Sequence, residues 1–274
     1  MAKKKILYIA SEIYPYLPES YISKICRHLP QGIQERENEI RTFMPKFGCI
    51  NERKNQLHEV IRLSGQNIIV DNIDRTLIIK VASLQVVRMQ VYFIDSEDYF
   101  KRKQIFYDTE GNFFSDNDER MIFFAKGVIE TVKKLGWEPD IIHCHGFMSA
   151  LVPIFIKTYY KDSPLFQGTR LVYSVYNDKF PDLLNPTIGK KLVGTGIDEG
   201  YIRHIDNPTY ASLIKLAADY SDAVVIGHPE VDEEVINYLK TYPRPILTHP
   251  TDENYADAYD EFYNQLITKE PITF

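Results

Sequence analysis

Along the chain the apolar positions alternate between two rhythms. Lys5 to Ala10 is a short run of strand-forming residues, and after it Ile22, Ile25, Leu29 and Ile33 recur at the spacing of one helical face. Glu39 to Met44 is the next strand run, closed by Pro45 and Gly48. These opening segments predict a β-α-β unit with a right-handed crossover, the start of a parallel sheet. Between Leu57 and Ile94 the pattern changes to short alternating runs at 60–63, 67–70, 76–80 and 91–94, with no helix long enough to intervene. That change predicts an antiparallel or meandering insert.

Helical periodicity returns from Asn117 to Leu135, with Met121, Phe124, Val128 and Val132 on one stripe and Gly136 as the stop. A buried strand at 140–143, a helix at 149–159, a strand at 170–175, a helix at 210–218, a strand at 223–226 and a helix at 230–239 continue the alternation. The fold class expected is α/β, a doubly wound, mostly parallel Rossmann-like sheet with a small antiparallel insert. Residues 178–207 carry prolines and glycines with little periodicity, and a surface loop over the carboxyl edge of the sheet is expected there. Pro243, Pro245 and Pro250 punctuate a linker before Tyr259, Phe262 and Leu266, which recur at helical spacing. Residues 1–242 therefore read as one domain with an insert at 57–94, and 243–274 as a linker and a last helix packing back.

Composition narrows the partners. A chain of 274 residues that is 44% hydrophobic can bury one large core or at most two modest ones. Its net charge of -6 offers no global attraction to nucleic acid or to anionic lipid, so neither is expected as a partner. The basic start at Lys3, Lys4 and Lys5 precedes an apolar run too short for a signal peptide, and no run of about twenty apolar residues occurs. Cys26, Cys49 and Cys144 are an odd number, which fits reduced thiols better than a disulfide framework. A cytoplasmic location is expected.

His143 and His145 have the i, i+2 spacing that puts both on one strand face, as a metal pair would need. No third ligand accompanies them, so neither metal nor cofactor is assigned. Cys144, on the opposite face, reads as a small buried hydrophobe. Asp219 and Asp222 read as turn residues rather than a catalytic carboxylate pair. The aromatics Tyr14 and Tyr16, Tyr99-Phe100, Phe106-Tyr107 and Phe113-Phe114 suit stacking on pyranose rings and suit a core or a partner interface equally well.

Three stretches together carry a family resemblance. The first is Lys5-Ile-Leu-Tyr-Ile-Ala-Ser-Glu-Ile-Tyr-Pro-Tyr16, followed by Leu29-Pro30 and by Glu39 to Gly48. The second is Val91 to Asp95, Tyr99-Phe100 and Asp116-Asn117 with Arg120. The third and most specific is Leu135-Gly-Trp-Glu-Pro-Asp-Ile-Ile-His-Cys-His145, then Ala150 to Pro153, Lys157 to Tyr159 and Phe166 to Thr169. In this order and spacing the chain resembles glycosyltransferase family 5, the bacterial glycogen synthases and plant starch synthases, over roughly its first 240 residues. The resemblance implies the first half of a GT-B enzyme. In that arrangement the first domain carries the acceptor glucan, and a second domain, with no counterpart in these residues, chiefly holds ADP-glucose.

Position by position, the resemblance implies a reduced site. The family's Lys-Thr-Gly-Gly-Leu, where glycines let the backbone approach a diphosphate and lysine neutralises it, is matched here by Pro18-Glu19-Ser20-Tyr21-Ile22. Phosphate binding in the family manner is not expected, and Ser20 is expected as the N-cap of the following helix. His145 matches the histidine of the family's His-Asp-Trp, with Gly146, Phe147 and Met148 as its changed neighbours. Asn177 keeps the asparagine of Ile-His-Asn, the histidine having become Tyr176, and Lys215 keeps the lysine of Asn-x-Leu-Lys, the asparagine having become Ser212. Candidate substrate-binding residues are therefore Tyr16, His145, Asn177 and Lys215, with His145 the catalytic candidate.

The function expected is that of a degenerate glycogen/starch synthase-like domain without independent transferase activity. It would bind α-glucan or maltooligosaccharide, or partner an active glucan enzyme. Two alternatives stay open: a glucosyltransferase whose donor half comes from a partner protein with a nucleotide-sugar-binding domain, and a non-catalytic protein- or small-molecule-binding module.

Overall fold

The computed structural model describes residues 3–84, 89–181, 183–250 and 255–268. The chain runs β1 (Lys5–Ala10), α1 (Tyr21–Gln34), β2 (Glu39–Pro45), β3 (His58–Glu59), β4 (Gln66–Val70), β5 (Ile73–Leu84) and β6 (Met89–Asp95). It continues through α2 (Asn117–Leu135), β7 (Ile141–His145), α3 (Val152–Lys157), β8 (Arg170–Val175), α4 (Ile188–Gly194) and α5 (Tyr210–Asp219). The last elements are β9 (Ala223–Ile226), α6 (Glu233–Leu239), β10 (Ile246–Leu247) and α7 (Tyr255–Thr268).

The sheet has the order β10-β9-β8-β7-β1-β2-β6-β5-β3, with β4 paired to β5. From β10 to β6 every pairing is parallel, and β5 is antiparallel to β6, β4 and β3. This is the doubly wound α/β fold expected. The insert differs in detail. β6 pairs Thr42 to Pro45 of β2 in parallel with Val91 to Ile94, so it belongs to the main sheet. Residues 60–63, expected as a strand, are mostly turn, with Leu63 buried and Ile61 exposed.

Local chemistry sets most boundaries. Ser20 caps α1: its side chain accepts from Ser23 N while the Ser23 hydroxyl accepts from Ser20 N. α2 stops at Gly136, whose φ of 60° lies in the left-handed region. Alternation within the strands divides the core in two. Ile6, Tyr8, Ile141, Val172, Ala223 and Val225 face α1 and α7, while Leu7, Ile9, Ile142, Cys144, Leu171 and Tyr173 face the side that carries α2, α3 and α5. α7 lays Tyr259, Phe262, Tyr263 and Leu266 onto the first of these faces. Residues 251–254 of the expected linker, and 269–274, lie outside the described residues.

The segment expected as a surface loop at 178–207 is more ordered than that. It contains α4 and two short 3-10 turns, and it buries Leu184, Ile188, Leu192, Ile197, Ile202 and Ile205. Lys191 pins it to α2, its Nζ 2.8 Å from Asp118 Oδ2 and 2.7 Å from Glu119 Oε1.

Candidate functional site

The strand order reverses between β1 and β7, the place where open α/β sheets bind ligands at their carboxyl ends. Ser11, just beyond β1, is stitched to the end of β7: its N–H and its hydroxyl both donate to the His145 carbonyl, at 3.2 and 3.1 Å. Gly146 follows with φ +78°, and a Cβ there would lie 2.3 Å from Ser11 Oγ and 3.1 Å from Asp178 Oδ2. Asp178, beyond β8, organises this corner. Its Oδ2 accepts from Phe147 N at 2.7 Å and its Oδ1 accepts from the Tyr210 hydroxyl at 2.7 Å. Burial raises its carboxyl above the ordinary range, against the opposing effect of those two bonds.

Glu12 stands beside it. Burial raises its pKa too, the Asp178 charge adds to the rise, and the hydroxyl of Ser20, donating to Oε2 at 2.5 Å, opposes it. Two carboxylates thus stand near the entrance of α1, and Glu19 at the rim is ion-paired with Lys24. Tyr21, the exposed first residue of α1, has its ring edge-on to His228 at 4.6 Å and its hydroxyl 3.2 Å from His249 Nε2. The structure gives this loop the capped-helix role expected for Ser20.

Next to Glu12 a cleft of about 620 Å³ opens between the β1–α1 loop and residues 103–107. Glu12, Tyr16, Cys49, Lys103, Phe106 and Tyr107 line it. Its walls are largely apolar, with a carboxyl and an exposed ammonium available to polar ligand groups. A larger hollow of about 760 Å³ lies at the opposite, amino edge of the sheet among Lys4, Asp140, Asp257 and Asp260. It is remote from the carboxyl ends of the strands.

The four candidate residues are dispersed. Tyr16 lines the cleft, mostly buried, with its ring edge-on to Phe93 at 4.9 Å. Asn177 is exposed beyond β8. Lys215 sits on α5 with Nζ 2.7 Å from Glu234 Oε1 of α6. His145 is fully buried on the α7 face of the sheet: its Nδ1 lies 2.7 Å from the Tyr176 hydroxyl, and its buried Nε2 has no hydrogen-bond partner among the described residues. Burial alone drives its pKa down to about 3, so the ring is neutral.

His143 shares that face, as its spacing required, and its ring centroid is 3.9 Å from that of His145. Both its nitrogens are engaged, Nδ1 at 2.6 Å from the Tyr263 hydroxyl and Nε2 at 2.7 Å from Ser174 Oγ. Cys144 is buried on the opposite face. Asp222 accepts from Leu171 N at 2.7 Å and pairs with Lys157, a turn role. Of the aromatics, Tyr99 and Phe100 are core, whereas Phe106 and Tyr107 line the cleft. Sequence reasoning singled out neither Glu12 nor Asp178. The signal for Glu12 was its place in the first matched stretch, and the signal for Asp178 was its place directly after Asn177.

Comparison with known proteins adds ancestry to this geometry. A family model described as "Starch synthase catalytic domain" matches residues 5–242. The glycogen synthase of Chlorobium luteolum is 37% identical over 204 residues, covering 74% of this chain and 42% of that protein. The glycogen synthase of Chlorobium limicola is 34% identical over 240 residues, covering 87% of this chain and 48% of that protein. The chain therefore spans about half the length of the curated relatives it matches. Among solved structures, the catalytic domain of starch synthase IV from Arabidopsis thaliana, bound to ADP and acarbose, superposes with a TM-score of 0.73. It is 18% identical and the match covers 90% of this chain and 51% of that one, a likeness of fold. Among the described residues no helix is long and apolar enough to cross a membrane.

Proposed function

The chain belongs to the starch synthase catalytic-domain family of glycogen and starch synthases, and from that premise we propose that it binds α-glucan without itself transferring glucose from ADP-glucose. The observation that carries this reading is the entrance of α1. Pro18, Glu19, Ser20 and Tyr21 stand where the family places its lysine and glycines, the bulky Tyr21 leans on His228 at the start of the helix, and Glu12, under the influence of Asp178, lies close by with its Oε2 on Ser20. At an effective dielectric of about 20, two like unit charges about 5 Å apart repel by about 3 kcal/mol, and a diphosphate carries more than one charge. A donor clamp acts by neutralising and positioning that diphosphate, so this entrance works against the chemistry in its charge as well as its shape.

The cleft beside Glu12 is the glucan site in this proposal. Tyr16, Phe106 and Tyr107 offer ring faces or edges to pyranose rings, while Glu12 and Lys103 offer an acceptor and a donor to hydroxyls. A transferase completed by a second chain would need His145, Asn177 and Lys215 turned together toward the reacting sugar. His145 is enclosed and Lys215 is paired with Glu234, which favours the non-transferring reading. Calorimetric titration of the chain with maltoheptaose tests the glucan site. Saturable binding that weakens in Tyr107→Ala supports it, and no heat of binding up to millimolar maltoheptaose removes it.

A further inference from the structure

The α7 face of the sheet holds a buried polar layer that the glucan site does not use. Tyr8 from β1, His143 and His145 from β7, Ser174 from β8, Tyr176 just beyond it, and Tyr263 from α7 form its hydrogen bonds. We propose that α7 is an acid-released strap, which lifts from the sheet on mild acidification while the strands beneath stay paired.

Three features of the structure support this. The first is that, among the described residues, a proton on either imidazole would have only neutral hydroxyls as direct partners, the carboxylates Asp260 and Asp178 acting on the flanking phenols of Tyr8 and Tyr176. The groups facing the pair are the phenols of Tyr8, Tyr176, Tyr259 and Tyr263, with the Cys26 thiol near Tyr8, and burial holds all of these neutral. Among the described residues the nearest charges on α7 are at its rim, where Asp260 pairs with Lys4 and Asp257 with Arg36. Burial and the neighbouring ring depress His143, and burial depresses His145 to about 3, so the closed state excludes the proton that an open state would accept.

The second feature is that the contact is direct. Nδ1 of His143 is 2.6 Å from the hydroxyl of Tyr263, so a change at the imidazole acts on α7 at its centre. The third is that α7 is separable. Among the described residues no strand takes a backbone partner from it, and the strands keep their register pairings without it. Its ties are the packing of Tyr259, Phe262, Tyr263 and Leu266, the two rim ion pairs, and side-chain bonds such as Arg170 Nε to the Leu266 carbonyl at 3.1 Å.

An imidazole freed into water titrates near 6.5, so at pH 5 protonation multiplies the open population about 30-fold, and about 1000-fold if both rings are freed. Hydrogen exchange of the full chain at pH 8 and pH 5, corrected for intrinsic rates, reads this change. The expected result is that amides of α7 lose protection by about 30- to 1000-fold while those of β7 and β8 lose less than threefold. His143→Gln, which cannot take the proton, should cut the pH effect on α7 by about 30-fold or abolish it. Tyr263→Phe should weaken α7 protection at both pH values and keep the pH effect. Equal loss in α7 and β8, or no pH effect on α7 in the parent chain, overturns the proposal even if His143→Gln fails to fold.

Discussion

Two glycines with positive φ separate backbone strain from crowding. Gly146 lies at φ +78°, ψ 162°, a region that side-chain-bearing residues almost never enter, and its Cβ position is 2.3 Å from Ser11 Oγ. Gly136 lies at φ 60°, ψ 33°, with nothing within 4 Å of its Cβ position. Alanine at 136 should cost about 1–2 kcal/mol, the price of the left-handed conformation. Alanine at 146 adds two further terms to a strain of about 2 kcal/mol. Ser11 must swing away and lose its bond to the His145 carbonyl, about 1 kcal/mol, and the crowded corner against Asp178 adds about 1–2 kcal/mol. The sum is about 4–5 kcal/mol, which for a chain of this size lowers Tm by about 7–9 °C, against about 2–3 °C for Gly136→Ala. Paired urea and thermal melts of the two variants measure the difference. If Gly146→Ala melts within 2 °C of Gly136→Ala, the tight corner joining Ser11, Gly146 and Asp178 is not the structure described here. The same corner bears on the family pattern. The aspartate of His-Asp-Trp falls at Gly146, so Gly146→Asp should be at least as destabilising as alanine.

Lys191 joins α4 to two carboxylates of α2, one of them the fully buried Asp118, whose pKa burial raises and Lys191 opposes. Lys191→Met should cost about 3–5 kcal/mol at pH 7, measured by urea titration. The Lys191 ammonium stays charged throughout this range, so the pH dependence comes from the carboxyls: orphaned in the variant, they can take protons, and the deficit should shrink as pH falls toward 4. A deficit independent of pH contradicts the ion-pair account. In the cleft, Tyr107→Ala should weaken maltoheptaose binding about 3- to 10-fold in calorimetry, the loss of one aromatic face. Unaltered affinity would move the glucan site elsewhere.

How much of this was legible in the sequence depended on whether a local signal existed. α2 spans the range its stripe predicts because Gly136 imposes a left-handed stop and Asn117 opens a clear run. Ser20 was legible as a cap because capping needs only a hydroxyl three residues before an N–H. The segment 178–207 was misread because its prolines and glycines mask apolar anchors four residues apart at Leu184, Ile188 and Leu192, and because Lys191 finds its carboxylates on a distant helix. For His145, position was legible and environment was not. Its strand end followed from the run before it, but its enclosure depends on Tyr176 and on the polar layer beneath α7, whose Tyr263 comes 118 residues later. β6 was assigned to the insert because hydrophobic alternation does not reveal which neighbour a strand pairs with.

The proposed function has this family member holding glucan without handling the nucleotide sugar. The most direct test is to incubate the purified chain with ADP-glucose and glycogen, following ADP release and glucose incorporation, alongside a calorimetric titration with ADP-glucose. The expected result is no ADP above the uncatalysed background and no saturable binding of ADP-glucose. ADP release with matching glucose incorporation by this chain alone would contradict it.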